Sequence, residues 1–576
     1  MKNISFLLLS FFLTVNVFSQ QANVTWGNEF KLHKGSTDLA VVYSDNSGVY
    51  LKETHAVTKM FSLPSESATL VKLDNSLTEI YRNDFNKELK GKDFEQFFIL
   101  QNKFFIIASS YNKKEKTLTL LGAEIDKNSG ELLSDWQEIT SWQKEEKGDN
   151  IDFKISTNAD STKMVVVSSV EGKDKNNYEV RQFDTKLQPT DKPIVISNEF
   201  DPKTFQLEDV LYTTNENVVL VGRIYEYEDG KKKKAKFLDF KNYNVRIYDN
   251  TGKMIKEVNT DIAGKWLVST KVVQEKDKDL VLAAFYSNEK KGAEINGLLV
   301  QRIDPATGNV LSTNQKEINT SLITTLDDGD SDNTDDSDDK DADSKKEKKE
   351  REKLAKIQDD AEGFSRYMQF RNIFYTPDNG LVILAEKYHS YTYTESYYEG
   401  GFNGMPGNWV TRTYTVYECG DLMMSKIDAT GNISWLQVLP KDQKEVIENG
   451  YNSTGGFSIG TYYFANFNLP FYAGFGALAG NNTVNIIFND NKKNENVLQL
   501  GQKIKSANYF RKTACYQVTL DILTGKYKRI SLFDNTDQPT AMPRLGSVIG
   551  KNMFIVGKED RIFGKTKIAV AEISVK

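Results

Sequence analysis

Gly456-Phe457-Ser458-Ile459-Gly460 matches the Gly-x-Ser-x-Gly spacing of a nucleophilic serine. That chemistry needs the serine on a sharp strand-to-helix turn, with a histidine base in hydrogen-bond reach. Here the flanks 451–455 and 461–467 are rich in Gly and aromatics, no helical pattern comes after them, and the chain holds only His33, His55 and His389. The motif reads as a Gly-rich loop. Those histidines, together with Cys419 and Cys515, lack the spacing of zinc ligands. No Gly-rich loop ends in Lys followed by Ser or Thr, so nucleotide chemistry has no support.

A second candidate is acidic. Ten aspartates fall within the seventeen residues Asp327 to Asp343, and Asp328-Gly329-Asp330-Ser331-Asp332 starts like a calcium loop, in which several oxygens must converge from one tight turn. The pattern then departs from such a loop. Asn333 stands where the turn glycine belongs and Asp339 where a bidentate glutamate belongs. From Ser344 the segment turns basic, with Glu347/Arg351 and Glu352/Lys356 spaced for a solvated helix. Residues 322–362 are therefore read as a charged, disordered insertion. No cofactor is expected, and calcium is the one whose donors this segment approaches.

The third candidate is aromatic. Tyr391, Tyr393, Tyr397 and Tyr398 lead into a Gly-rich tip containing Phe402, and Trp409 leads back out. Segment 389–417 reads as a long β-hairpin that overshoots its neighbours. These six residues are the candidate binding set, because aromatic rings offer stacking faces for sugars and large, stiff contacts for proteins. The competing expectation is that the rings pair across strands or cover an adjoining surface. Catalysis by paired carboxylates stays open as well, since 80 Asp and Glu residues could place two or three together.

What would position these segments is a repeat. A strand runs into Asp, then a short turn closed by Gly, then another strand: Asp249-Asn250-Thr251-Gly252, Asp304 to Gly308, Asp428-Ala429-Thr430-Gly431 and Asp521 to Gly525, with weaker copies at Asp74, Asp126 and Asp184. Asp accepts hydrogen bonds from the N–H groups ahead of it, and Gly supplies the positive φ that closes the turn. Successive aspartates lie 52, 58, 65, 55, 124 and 93 residues apart. Taking out the 41 residues of 322–362 and the 29 of 389–417 returns the longest interval to 54. Each period carries four strand-like stretches, read in the fourth unit as Phe205–Tyr212, Val218–Tyr225, Tyr243–Tyr248 and Lys253–Val258. A fixed period with four antiparallel strands resembles the blade of a β-propeller. The resemblance covers roughly residues 24 to 576 and implies an all-β fold of eight blades, seven being the alternative. Thr376-Pro377-Asp378-Asn379-Gly380 is similar to the Asp-box of sialidases, but it occurs once and lacks the aromatic.

Both chain ends bear on closure. The last unit offers 545–549, 553–556 and 567–575 and no fourth strand, while Asn23-Val24-Thr25-Trp26-Gly27 reads like Asn432-Ile433-Ser434-Trp435-Leu436. The N-terminal strand is expected to complete the last blade and so remove an open edge. Before it, Lys2 and the apolar run Ile4 to Phe18, with small Val17 and Ser19, read as a signal peptide over 1–19. No later stretch holds 18 consecutive apolar residues, so no transmembrane segment is expected in the mature chain. The net charge of −6 argues against nucleic acid, and the basic run Lys231 to Lys234 reads as a solvated hairpin tip. Cys419 and Cys515 are expected to be separate thiols. The sequence thus points to an exported cell-envelope propeller, periplasmic or on the outer-membrane surface facing the periplasm, with the cell exterior as the alternative, that binds a protein or glycan without catalysis. The alternative is a propeller glycosidase or lyase with carboxylates near the axis.

Overall fold

The computed structural model describes residues 21–575 with breaks at 32–35, 58–64, 147–148, 159–160, 172–175, 199–203, 214, 228–237, 261–263, 275–278, 290–293, 319–363, 366–367, 400–407, 450–469 and 560–566. The expected signal peptide (1–19), the charged insertion, His33, the basic run Lys231 to Lys234, Phe402 and the Gly-x-Ser-x-Gly stretch therefore lie outside the described residues. Strands dominate the rest. No helix among the described residues is long and apolar enough to cross a membrane.

Eight antiparallel sheets of four or five strands succeed one another among the described residues, and a ninth, two-stranded sheet pairs Glu294–Ile295 with Phe364–Ser365. Blade 1 runs from Ser36 to Asp84, blade 2 from Asp93 to Gln143, blade 3 from Asn150 to Asn198 and blade 4 from Phe205 to Asn259. Blade 5 runs from Trp266 to Glu317, blade 6 from Met368 to Leu439 and blade 7 from Phe475 to Asp534. Blade 8 starts at Thr540 and ends with Lys567–Ser574, against which the N-terminal strand Asn23–Trp26 pairs in the register Asn23↔Ser574 to Trp26↔Ala571. The fold is a β-propeller closed by its N-terminal strand, as the repeat and the chain ends predict.

Packing between blades explains the apolar runs in the second strands of blades 5 and 6. In Leu280–Ser287 every residue is buried. Val281, Ala283 and Phe285 enter the core shared with blade 6, while Leu280, Leu282, Ala284 and Tyr286 enter the core shared with blade 4. The two-residue alternation of a strand sends successive side chains to opposite neighbours. Leu381, Ile383 and Ala385 likewise face blade 5, and Val382 and Leu384 face blade 7. The ring closes through one more shared core, in which Leu39, Val41 and Leu51 of blade 1 meet Phe554, Val556 and Val570 of blade 8. Cys419 and Cys515 are both free and buried, in blades 6 and 7.

The repeated Asp turn works locally and at the blade joint. Asp428 Oδ1 accepts the N–H groups of Thr430 (2.8 Å) and Asn432 (2.9 Å), and these bonds hold its carboxyl below the ordinary range against the opposing pull of burial. Gly431 sits at φ +93°, and a Cβ there would fall 2.1 Å from the Asn314 side chain of blade 5. Asn314 in turn donates to the Thr430 carbonyl at 2.7 Å. Glycine is needed both for the turn and for the close approach to the preceding blade.

Candidate functional site

Strands in each blade alternate in direction. The first-to-second and third-to-fourth turns therefore share one face of the ring, and the second-to-third hairpins and blade-to-blade connections share the other. The Asp turns occupy the first face. The long additions all open on the second: 318–367 joins blades 5 and 6, 400–407 tips the blade 6 hairpin, 440–474 joins blades 6 and 7, and 491–513 interrupts the central hairpin of blade 7.

The dominant feature of that face is an extension of blade 6. Strands Leu381–Glu399 and Asn408–Ile427 stay paired far beyond the end of the inner strand, whose last partner is Lys387. Twelve residues, Tyr388 to Glu399, overshoot, which at ~3.3 Å per residue spans ~40 Å. A third strand, Gln443–Asn449, pairs along Thr413–Cys419. The register shifts between Glu386 and Tyr388, opposite Gly420 and Asp421, and such a bulge re-aims the strands beyond it. Ile447 and Tyr417 of the extension pack into the core shared by blades 8 and 1. A sheet rooted in blade 6 therefore crosses the face of the ring towards blades two and three positions away.

Strand alternation divides the six candidate residues. Tyr398 and Trp409 oppose each other on one side of the extension, their rings 5.7 Å apart and edge-to-face, and they are 57% and 71% exposed. Between them and the base runs a ladder of hydroxyls, with Ser396 and Thr411 bonded at 3.0 Å and Thr394 and Thr413 at 3.2 Å. Tyr391 and Tyr393 point to the opposite side, both half-buried; Tyr393 stacks on Tyr414 at 5.2 Å and Tyr391 on His389 at 5.7 Å. Tyr397 pairs by backbone with Val410, while its side chain and Phe402 are outside the described residues.

At the base lies a group of residues that sequence reasoning missed. Glu386 is buried between two cations: Lys441 Nζ donates to its Oε1 at 2.7 Å and Arg371 Nε to its Oε2 at 2.9 Å. Burial pushes the Glu386 carboxyl up, but Lys441 and Arg371 together hold it below the usual range. Lys441 also donates to the Cys419 carbonyl (2.9 Å) and Gln443 Oε1 (2.8 Å). Glu445, buried beside them, accepts the N–H groups of Phe471, Tyr472 and Ala473 and so pins that connection. Burial nevertheless pushes its carboxyl up. Tyr388 and Tyr417 stand 6.5 Å apart over this cluster, with Arg371 4.6 Å from the centre of the Tyr388 ring. Their hydroxyls are held above the ordinary range, chiefly by burial. Charged residues inside or beside apolar runs, as in Leu381-Val382-Ile383-Leu384-Ala385-Glu386, were the one available signal.

Asp421, at the bulge, is pushed up to about 6 by burial, against the hydrogen bond it accepts from the Lys441 N–H at 3.1 Å. A carboxyl raised in the folded state contributes stability below its unfolded value of ~3.9, and loses that contribution as pH rises through about 6. Asp421→Asn keeps the acceptor and removes the charge. Relative to wild type the variant should gain stability between pH 4 and 7, by up to ~3 kcal/mol, in urea titrations at stepped pH. Parallel pH profiles for the two proteins would refute this.

No family model and no curated protein matches the chain. Among solved structures it is similar to the polysaccharide lyase Uly1 (8% identity, 98% of this chain and 94% of that one, TM-score 0.36). It is also similar to the β-propeller domain of the Trilobed protease from Pyrococcus furiosus (11%, 73% and 97%, TM-score 0.29). Prolyl oligopeptidase B from Galerina marginata matches over 64% of this chain (11%, TM-score 0.27), and the match spans only 37% of that enzyme's length. With TM-scores this low, sheet order and the shared blade cores carry the fold assignment, and none of the three informs the site.

Proposed function

We propose that the protein is an exported, cell-envelope recognition propeller that holds a glycan or protein partner on the face crossed by the blade 6 extension. The Tyr398–Trp409 pair carries this reading: two large rings set edge-to-face and mostly exposed, at the far end of strands that the blade itself does not need. Exposed rings at such a place invite a partner. The concentration of every long addition on that face supports it too. Placement in the periplasm, or on the outer-membrane surface facing it, is part of the proposal and rests on the N-terminal apolar run.

The test is capture from solubilised envelopes by the full-length mature protein and by the Tyr398→Ala/Trp409→Ala variant. Losing two central anchors should weaken capture at least ~30-fold, with the melting temperature unchanged, because both rings are exposed. Equal capture by the two proteins would reject the pair as the contact site. A lowered melting temperature would show instead that the rings brace the fold.

A second reading is cleavage of a glycan by carboxyls near the axis; Glu445 and Asp421, whose carboxyls burial pushes up as a general acid requires, lie instead at the base of the extension and are the acids to test first. Release of new sugar ends from envelope glycans, abolished by Glu445→Gln, would select this reading over pure recognition.

A further inference from the structure

We infer that the base of the blade 6 extension, around Arg371, is a subsite for the carboxylate of an acidic saccharide. The inference deepens the recognition reading and rests on it. The Glu386 carboxylate is shared by Lys441 and Arg371, so the two cations outnumber the one carboxylate they bond directly, with Glu445 buried beside them, its carboxyl pushed up by burial, and Arg544 acting on it. Arg371 lies on the inner strand Met368–Tyr375 at its bulge, on the face of the ring where the extension begins. Its side chain is 20% exposed, while that of Lys441 is fully buried, so of the two Arg371 is the cation a ligand meets.

Its hydrogen bonding is incomplete. Arg371 Nε is spent on Glu386, yet Nη2 is shielded from solvent and has no acceptor. A guanidinium N–H left without an acceptor is costly, and a carboxylate docked on the exposed part of the Arg371 side chain is the acceptor that the planar end of an arginine fits best. Tyr388 lies against the guanidinium, Tyr417 stands beside Tyr388, and Arg544 is near enough to pull on the hydroxyls of both. Half-buried tyrosine rings next to an arginine fork suit a sugar ring that bears its own acid group. A flexible acidic peptide would use the charge and leave the rings idle. From this base the hydroxyl ladder leads along the same side of the extension to Tyr398 and Trp409, which gives an extended chain a continuous track.

The probes are an oligogalacturonate, its methyl ester, dextran sulfate and an oligoglutamate peptide, titrated calorimetrically into the full-length mature protein. The free acid should bind at least ~30-fold tighter than the ester, which is the same sugar without its charge. Arg371→Gln should erase that preference, and Arg371→Lys, which keeps the charge but loses the fork and so guards against a folding defect, should erase most of it. The ester should lose far less affinity than the free acid in both variants. Acid and ester bound alike by wild type, or a preference that survives Arg371→Gln, would overturn the subsite while leaving recognition through Trp409 standing. Tighter binding of dextran sulfate or of the peptide than of the acid would overturn the assignment to a sugar carboxylate. Failure of acid and ester alike to bind would overturn the subsite together with glycan recognition.

Discussion

Removing residues 21–30 should cost about 3–5 kcal/mol, the range for deleting one large, well-packed aromatic, and should make the protein prone to aggregate. The deleted strand supplies the fourth strand of blade 8 along Lys567–Ser574. Trp26 meets Phe533 of blade 7 edge-to-face at 5.3 Å and lies so close over Gly557 that a Cβ there would clash at 2.6 Å. Further along, the Phe30 N–H bonds the Ile568 carbonyl at 2.9 Å, and the Ala22 N–H reaches Gln517 Oε1 at 2.8 Å. Without them the strand carrying Ile568, Val570 and Ile573 becomes an open, apolar edge. The urea midpoint and the sedimentation profile of the truncated protein check this. A midpoint like that of wild type would mean that the ring does not depend on its N-terminal closure.

The second large effect is expected at Lys441. Lys441→Met leaves Glu386 with Arg371 alone and removes three buried hydrogen bonds, to Glu386, to the Cys419 carbonyl and to Gln443, at about 1–3 kcal/mol for each buried acceptor left unmet. Adding Glu386→Gln should deepen the loss, because Arg371 still balances Glu386 in the single variant and loses its carboxylate in the double one. Glu386 has a folded-state value below the usual one. Its contribution is therefore present above the unfolded value of ~4.3 and vanishes as pH falls through the folded value. The gap between wild type and Lys441→Met should accordingly narrow in acid. Urea titrations of the single and double variants at neutral and acidic pH measure both effects, and a double variant more stable than the single one would contradict the ion-triad account.

Much of the fold was legible because its determinants are local. The Asp–Gly turns make their own hydrogen bonds within five residues, and in the fourth blade the strands run Phe205–Tyr212, Val218–Tyr227, Leu238–Tyr248 and Met254–Asn259, within a few residues of the sequence reading. The kinship between the segments around Trp26 and Trp435 is also seen in the structure, since both are outer strands of their blades. The base of the extension was not legible. Glu386 and Lys441 are 55 residues apart, and only the ring brings 471–473 to Glu445. The short strand Gln443–Asn449 carries five polar or charged residues in seven and gave no strand signal of its own. Alternation alone places Tyr398 on the side opposite Tyr391 and Tyr393. Its partnership with Trp409 depends on hairpin register, which a Gly-rich tip leaves unspecified.

Hydrogen–deuterium exchange of the protein with and without its captured partner tests most directly whether the extension is the recognition surface. Protection on binding should be confined to 388–399, 408–419 and 443–449, with the Asp turns at 249–252, 304–308, 428–431 and 521–525 unchanged on the opposite face. Protection centred on those turns, with the extension exchanging as freely as in the unbound protein, would contradict the account.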